Sequence, residues 1–437
     1  MKIRRGERRT AYKKEKSAEN GRGMQLTAEE QMILALLRQA LTGGEAPVAE
    51  GIQWDRVIGI AQRHAALPLL FPVLSERKSG PGPEEMNRIR EVTLTCARQN
   101  IRLAWETARA QKTLEKAGLP TAVLKGGGVG ALYPVPEYRK SGDVDLFLIQ
   151  QQADGEKQQK AFLKEQMRRA QTALEEIGYR PDMTHAPSNH VVFENADGIR
   201  LELHTFLTEP VDNDAVNQKI WEIQRSGVFR TRTVNTAGQE ITVLSGAGQA
   251  FALLLHMLHH FLRSGFGLKL LADWVVFWNH AAPDKQTVRD TYQRLVTACG
   301  LTGFSDLVTS VCARYLGLTG LEPLHPSDPA LFIPFLREIF SSGEFGEEDK
   351  TRMVTLRGTG MRDYIREFHH RMKLNFPGAS AYPVLYPVLW MRTLVRFLYN
   401  NRKVRGITAR AALRRAGERS RFMKQLHLFE TASGNPQ

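Results

Sequence analysis

Asp143 and Asp145 stand on either side of one valine in the stretch GDVDLFL, residues 142–148. In an extended strand successive side chains point to opposite faces, so both carboxylates project from one face and Val144 from the other. Two carboxylates on one rigid face repel each other unless a cation lies between them, and an oxygen-ligated divalent ion such as Mg2+, with Mn2+ as an alternative, supplies that charge. Such a pair suits phosphoryl or nucleotidyl transfer. A third carboxylate comes from HVVFENADGIRLELHTFL, two strands around an Asn195–Gly198 turn. On the second of these strands Glu202 and His204 share a face, so Glu202 is the candidate to complete a metal site with Asp143 and Asp145.

The acidic pair needs a phosphate partner, and the residues upstream offer one. A short apolar strand, Thr121 to Leu124, runs into Lys125, Gly126, Gly127 and Gly128. Glycines let a backbone approach a phosphate that a Cβ would hold off. Lys125 and Arg139 are candidate cations for the same phosphates, which makes Lys125, Gly126, Gly127, Gly128 and Arg139 the nucleotide-binding set. The turn also fits the loose dinucleotide pattern G-x-G-x-x-A, but Pro134 and Pro136 cut short any helix after it. It is not a phosphate loop of the GxxxxGK type, because the lysine precedes the glycines.

Other groups weigh less. His256 and His260 lie one helical turn apart, yet no cysteine or acid stands nearby at zinc-site spacing, so packing within a helical region is expected of them. Asp273 is expected to be structural, with Lys269 four residues earlier as a partner. His190 and His204 are candidates to line the site.

The 437 residues are 42% hydrophobic and 24% charged, enough for two or three domains. Three scattered cysteines, Cys96, Cys299 and Cys312, fit a reducing cytoplasm rather than a disulfide scaffold. The net charge is +14, of which residues 1–23, with nine Lys/Arg and three Glu, carry +6. Those residues read as a disordered basic tail, or as sequence upstream of a start at Met24, with no apolar segment of a secretory signal. Apolar runs near 251–262 and 384–399 are broken by His or Arg, so no transmembrane segment is expected.

The elements that must position the chemistry follow in order. Residues 24–118 form a helical region: Thr27 and Glu30 make a capping box, an amphipathic segment runs over 54–74 with breaks at Pro68 and Pro72, and a long helix spans 84–116. Residues 119–208 form the catalytic core, with a helix over 157–177 between its strands. Residues 209–320 carry a hairpin and then helices, and 321–437 a helical region ending in a basic run from Arg402 to Lys424. The fold class is α+β, a small mixed sheet embedded in a largely helical protein.

LKGG, LYP, the R-x-x-x-D-V-D-L run and LELH together resemble the uncharacterised nucleotidyltransferase family of the polymerase-beta-like nucleotidyltransferase superfamily. The resemblance implies a glycine turn at Gly126 and Gly127, a metal-binding pair at Asp143 and Asp145, and a third acid at Glu202. It implies a magnesium-dependent enzyme that binds ATP or another NTP and moves its NMP to a hydroxyl-bearing acceptor that the family does not specify; a small molecule or sugar is expected, with protein or RNA as alternatives. The alternative from another class is a non-catalytic module of the same fold that binds a nucleotide or a partner.

Overall fold

The computed structural model describes residues 25–47, 50–149, 156–182, 190–211, 213–280, 285–344, 361–376, 378–399, 421–426 and 428–429. The basic tail at 1–23 and nearly all of the basic run at 402–424 lie outside the described residues.

The chain begins with α1 (Ala28–Thr42), and its Thr27 and Glu30 form the expected capping box, each side chain accepting from the other's backbone N–H. The segment after it divides into α2 (Trp54–Arg63) and α3 (Leu67–Glu76). The break falls at Ala65, which takes a left-handed φ of 54°, and not at the prolines. Pro68 occupies the first turn of α3, where its missing N–H is harmless, and Pro72 is carried inside that helix. Next, α4 (Pro83–Lys116) runs 34 residues because nothing inside it interrupts: proline starts it, Glu84 and Glu85 favour its N-terminus, and Lys116 its C-terminus.

Seven strands make one mixed sheet: β1 (Thr121–Val123), β2 (Val144–Leu148), β3 (Arg180–Pro181), β4 (His190–Glu194), β5 (Arg200–His204), β6 (Arg230–Thr236) and β7 (Gln239–Ser245), in the order β3-β4-β5-β2-β1-β7-β6. The pairs β1–β2, β3–β4, β4–β5 and β6–β7 are antiparallel, while β2–β5 and β1–β7 are parallel. The hairpin β6–β7, grouped by sequence with the helices that follow it, therefore extends the same sheet beside β1. Its two-residue turn uses Ala237 and Gly238, both at positive φ, as a tight antiparallel hairpin requires.

Helix α5 (Glu156–Glu176) lies between β2 and β3, and α6 (Asp214–Arg225) follows β5. Then come α7 (Gly246–Leu262), α8 (Leu268–His280), α9 (Lys285–Ala298), α10 (Thr302–Leu316), α11 (Phe332–Phe340), α12 (Met361–Asn375) and α13 (Tyr386–Tyr399). Strand alternation sorts the sheet's side chains into two layers. Leu146, Leu148, Leu201 and Leu203 pack with Leu103, Ala110 and Leu114 of α4 and Ala170, Ala173 and Leu174 of α5. From the opposite face Ala122, Leu124, Phe147 and Leu244 join the large helical core built on α1–α3, α7, α8 and α10. Asp145, Glu202 and His204 occupy this second face. No helix among the described residues is long and apolar enough to cross a membrane.

Four histidines of the helical part are held neutral, mainly by burial: His64 and His260 are lowered to about 4, His259 to about 3, and His256 well below its usual value. Because the unfolded chain takes up these protons first, folding stability present above about pH 6.5 is lost as pH falls toward 4. His64 alone contributes about 2 kcal/mol of this loss at pH 5. The melting temperature is expected to fall steadily between pH 7 and pH 5; a flat or rising profile by calorimetry would contradict these assignments.

Candidate active site

Parallel pairing of β2 with β5 sets Asp145 directly beside Glu202 in register, with Phe147 beside His204 two residues on. Because side chains alternate, Asp145, Glu202 and His204 converge on one spot. His204 Nε2 lies 2.9 Å from Asp145 Oδ1 and 3.3 Å from Glu202 Oε2. One ligand atom from each of the three fits within 4.8 Å of the others. Asp143, just ahead of β2, lines the same cavity but stands outside that close group. The close group that could hold an ion therefore includes an imidazole beside two of the three expected carboxylates. LELH carried the signal for it, since Glu202 and His204 must share a face.

Lys125 reaches the same spot from the turn after β1. It takes a left-handed φ of 58°, rare for a residue with a Cβ, and its Nζ lies 2.7 Å from Asp145 Oδ1 and 3.9 Å from Glu202 Oε2. An ammonium thus stands between the carboxylates.

Packing constrains the three glycines to different degrees. The turn is a short 3-10 helix, Lys125–Gly128. A Cβ on Gly126 would lie 1.4 Å from Arg139 Nη2, one on Gly127 2.9 Å from Val123 Cγ1, and one on Gly128 3.1 Å from the Val123 carbonyl oxygen. Gly126 and Gly128 are buried, whereas Gly127 is exposed and lines the cavity. Of the three, Gly127 offers backbone to a ligand.

Arg139 lines the same cavity, but its guanidinium is buried beneath Gly126 and already paired, with Nε donating to Asp273 Oδ1 at 2.8 Å and Nη2 to Asp273 Oδ2 at 2.7 Å. Tyr133 donates its hydroxyl to the same carboxylate at 2.8 Å, and Arg139 Nη1 donates to Ser141 Oγ. Burial opposes the charge on Arg139, but Asp273 outweighs it and raises the group further. Asp273 is structural as expected, yet its partner is Arg139 and not Lys269. Lys269 pairs instead with Glu344 at 2.7 Å, and Glu344 also holds Lys140 at 2.7 Å.

Three amides fasten these parts together, and nothing in the sequence singles them out. Asn100 of α4 donates to the carbonyls of Glu137 and Arg139 and accepts from the Ser141 N–H, fixing the connection that delivers Asp143. Gln111 bridges β1 and β7 through Thr121 O and both backbone groups of Thr242. Gln249 of α7 donates to Lys125 O.

Burial opposes ionisation of Asp145, but Lys125 and the His204 hydrogen bond hold it well below the usual carboxylate range. Glu202 behaves alike: burial raises it, while His204 and Lys125 bring it down overall. Asp143 is pushed up to about 6 by the surrounding protein and by repulsion from Asp145 and Glu202, although solvent at the mouth, where it is exposed, moderates the shift. On Lys125, burial is outweighed by Asp145 and Glu202, so it stays charged. Two carboxylates and an imidazole, with a third carboxylate resisting ionisation nearby, are a donor set that fits a divalent cation.

The cavity measures about 310 Å3 and reaches from this acidic notch to His256 and His260 on α7 and Lys269 on α8. The two imidazole rings meet edge to face at 4.5 Å, combining the expected packing role with a place in the wall. The acidic notch thus lies on a small mixed sheet beside a glycine turn. The chain belongs to the family described as "Uncharacterised nucleotidyltransferase", whose profile matches residues 50–317. A solved structure that it resembles is an antigenic nucleotidyltransferase-like protein from Paracoccidioides brasiliensis, at 15% identity, covering 50% of this chain and 93% of that one, with a TM-score of 0.28. That likeness is too low to carry an argument. A comparison with curated proteins returned no match.

Replacing Asp273 by Ala leaves the Arg139 charge buried without its partner, which costs about 3–5 kcal/mol. A correspondingly lowered denaturation midpoint is expected for Asp273→Ala. An unchanged midpoint would show that the pair does not support the turn.

Proposed function

We propose that the protein is a metal-dependent nucleotidyltransferase that moves an NMP from an NTP to a hydroxyl-bearing acceptor and releases pyrophosphate. The observation that carries this reading is the in-register placement of Asp145 beside Glu202, two carboxylates that need a cation between them. Asp145, Glu202 and His204 would hold the ion, Mg2+ or Mn2+, with Asp143 as a further carboxylate from the cavity mouth. When bound, a divalent ion neutralises phosphate charge and stabilises the attacking and leaving oxygens.

The remaining roles fall to the chain's own residues. Gly127 presents backbone against the triphosphate. Lys125, drawn out of the notch, transfers its charge to the phosphates. The acceptor hydroxyl oxygen attacks the α-phosphorus, the bond to the bridging oxygen breaks, and the pyrophosphate leaves with that electron pair. Glu202, a carboxylate at neutral pH, takes the hydroxyl proton. A small molecule or sugar is the favoured acceptor for a cavity of this size, with protein and RNA as the other classes.

A second reading has one observation in its favour. The Lys125 ammonium already answers the carboxylates, so the same fold could serve as a metal-free module that binds a nucleotide or a partner.

Two measurements separate the readings. Asp145→Asn should abolish transfer of labelled NMP, a loss of at least about a thousandfold, while the protein still melts cooperatively; surviving transfer in that variant would remove the catalytic assignment. In Lys125→Met a competing cation is gone, so Mn2+ without nucleotide should bind about tenfold tighter by titration calorimetry. If neither protein binds Mn2+ with or without an NTP, the metal-free module is the correct reading.

A further inference from the structure

The last long helix among the described residues presents an apolar stripe that no described residue covers. On α13 and the turn before it, Val384, Val388, Met391, Val395 and Tyr399 recur every three or four residues and are 84%, 59%, 61%, 58% and 60% exposed. The opposite side packs: Leu389 and Thr393 are buried, Trp390 donates to His369 Nδ1 of α12 at 3.1 Å, and Tyr386 meets the His369 ring at 5.0 Å. Arg392 and Arg396, both exposed, follow along one border of the stripe. The charge of the surrounding sequence is one-sided. From Phe368 to Gly417, 50 residues, there are ten Lys/Arg and no Asp or Glu.

We infer that this stripe, bordered by arginines, is a docking surface for an anionic lipid bilayer, with α13 lying in the plane of the headgroups. An apolar face flanked by cations is the pattern of helices that lie on a membrane. The helix has 14 residues, and at about 1.5 Å per residue it is shorter than the roughly 30 Å hydrocarbon layer, which suits lying on the surface and not spanning it. Tyr382 and Tyr399, 64% and 60% exposed, stand at the two ends of the stripe, where interfacial aromatics belong. Other occupants explain less. A second copy would bring the two arginine borders and their basic surroundings together, and nucleic acid would answer the charge while leaving the apolar side chains in water. This surface lies beyond residues 50–317 and is independent of the acidic notch.

The test is flotation of the full chain with vesicles of phosphatidylcholine alone or with about 30% phosphatidylglycerol, the anionic component supplying the attraction to cations. Binding is expected to the anionic vesicles only. It should drop about tenfold or more in the double variant Val388→Asp, Val395→Asp, which removes apolar insertion. It should drop likewise in Arg392→Glu, Arg396→Glu, a surface change that leaves packing intact and so separates lost docking from lost folding. Equal binding to neutral vesicles overturns the inference. So does full retention by the Val388/Val395 variant, which would mean adsorption by charge alone, or a stripe variant that only converts a dimer to a monomer.

Discussion

Two negative charges forced side by side are the constraint around which this molecule is arranged. Parallel pairing of β2 with β5 leaves Asp145 and Glu202 no freedom to separate, and the leucines between them are locked into the rear layer. Slipping the register by one residue would turn the carboxylates into that apolar layer and the leucines out, so the core enforces the repulsion. The fold answers with Lys125 and His204, one delivered by a strained turn and the other by the same strand as Glu202. Asp143, at the mouth, is held above the usual carboxylate range by burial and by repulsion from Asp145 and Glu202.

A second ion pair bears the mechanical load. Arg139 and Asp273, both almost fully buried, tie the connection before β2 to helix α8, with Gly126 resting directly on the guanidinium. The turn is thus held from below by charge and from the side by Gln249. Its glycines serve tight packing at Gly126 and Gly128 and exposure at Gly127.

What could be read from the sequence was local. Alternation over DVDL and LELH put Asp143, Asp145, Glu202 and His204 on defined faces, and capping and periodicity gave the helices, because these depend on neighbours within a few residues. What could not be read depends on distant pairs. Nothing near Arg139 announces its buried partner Asp273, 134 positions later. Asn100, Gln111 and Gln249 look like ordinary helix polars until tertiary packing brings backbone groups to them. The hairpin β6–β7 is plain as a hairpin, but its pairing with β1 rests on a parallel contact that no turn signal encodes.

Glu344 lies past the last residue matched by the family, yet it neutralises two lysines on the cavity wall, Lys140 and Lys269. The wall is therefore closed by a part of the chain that the shared family region does not include. A fragment trimmed to that region would keep every acidic group of the notch and lose the carboxylate that Lys140 and Lys269 share. In ribosomal synthesis the same geometry makes the cavity electrostatically complete only after residue 344 has emerged, well after the sheet itself can close.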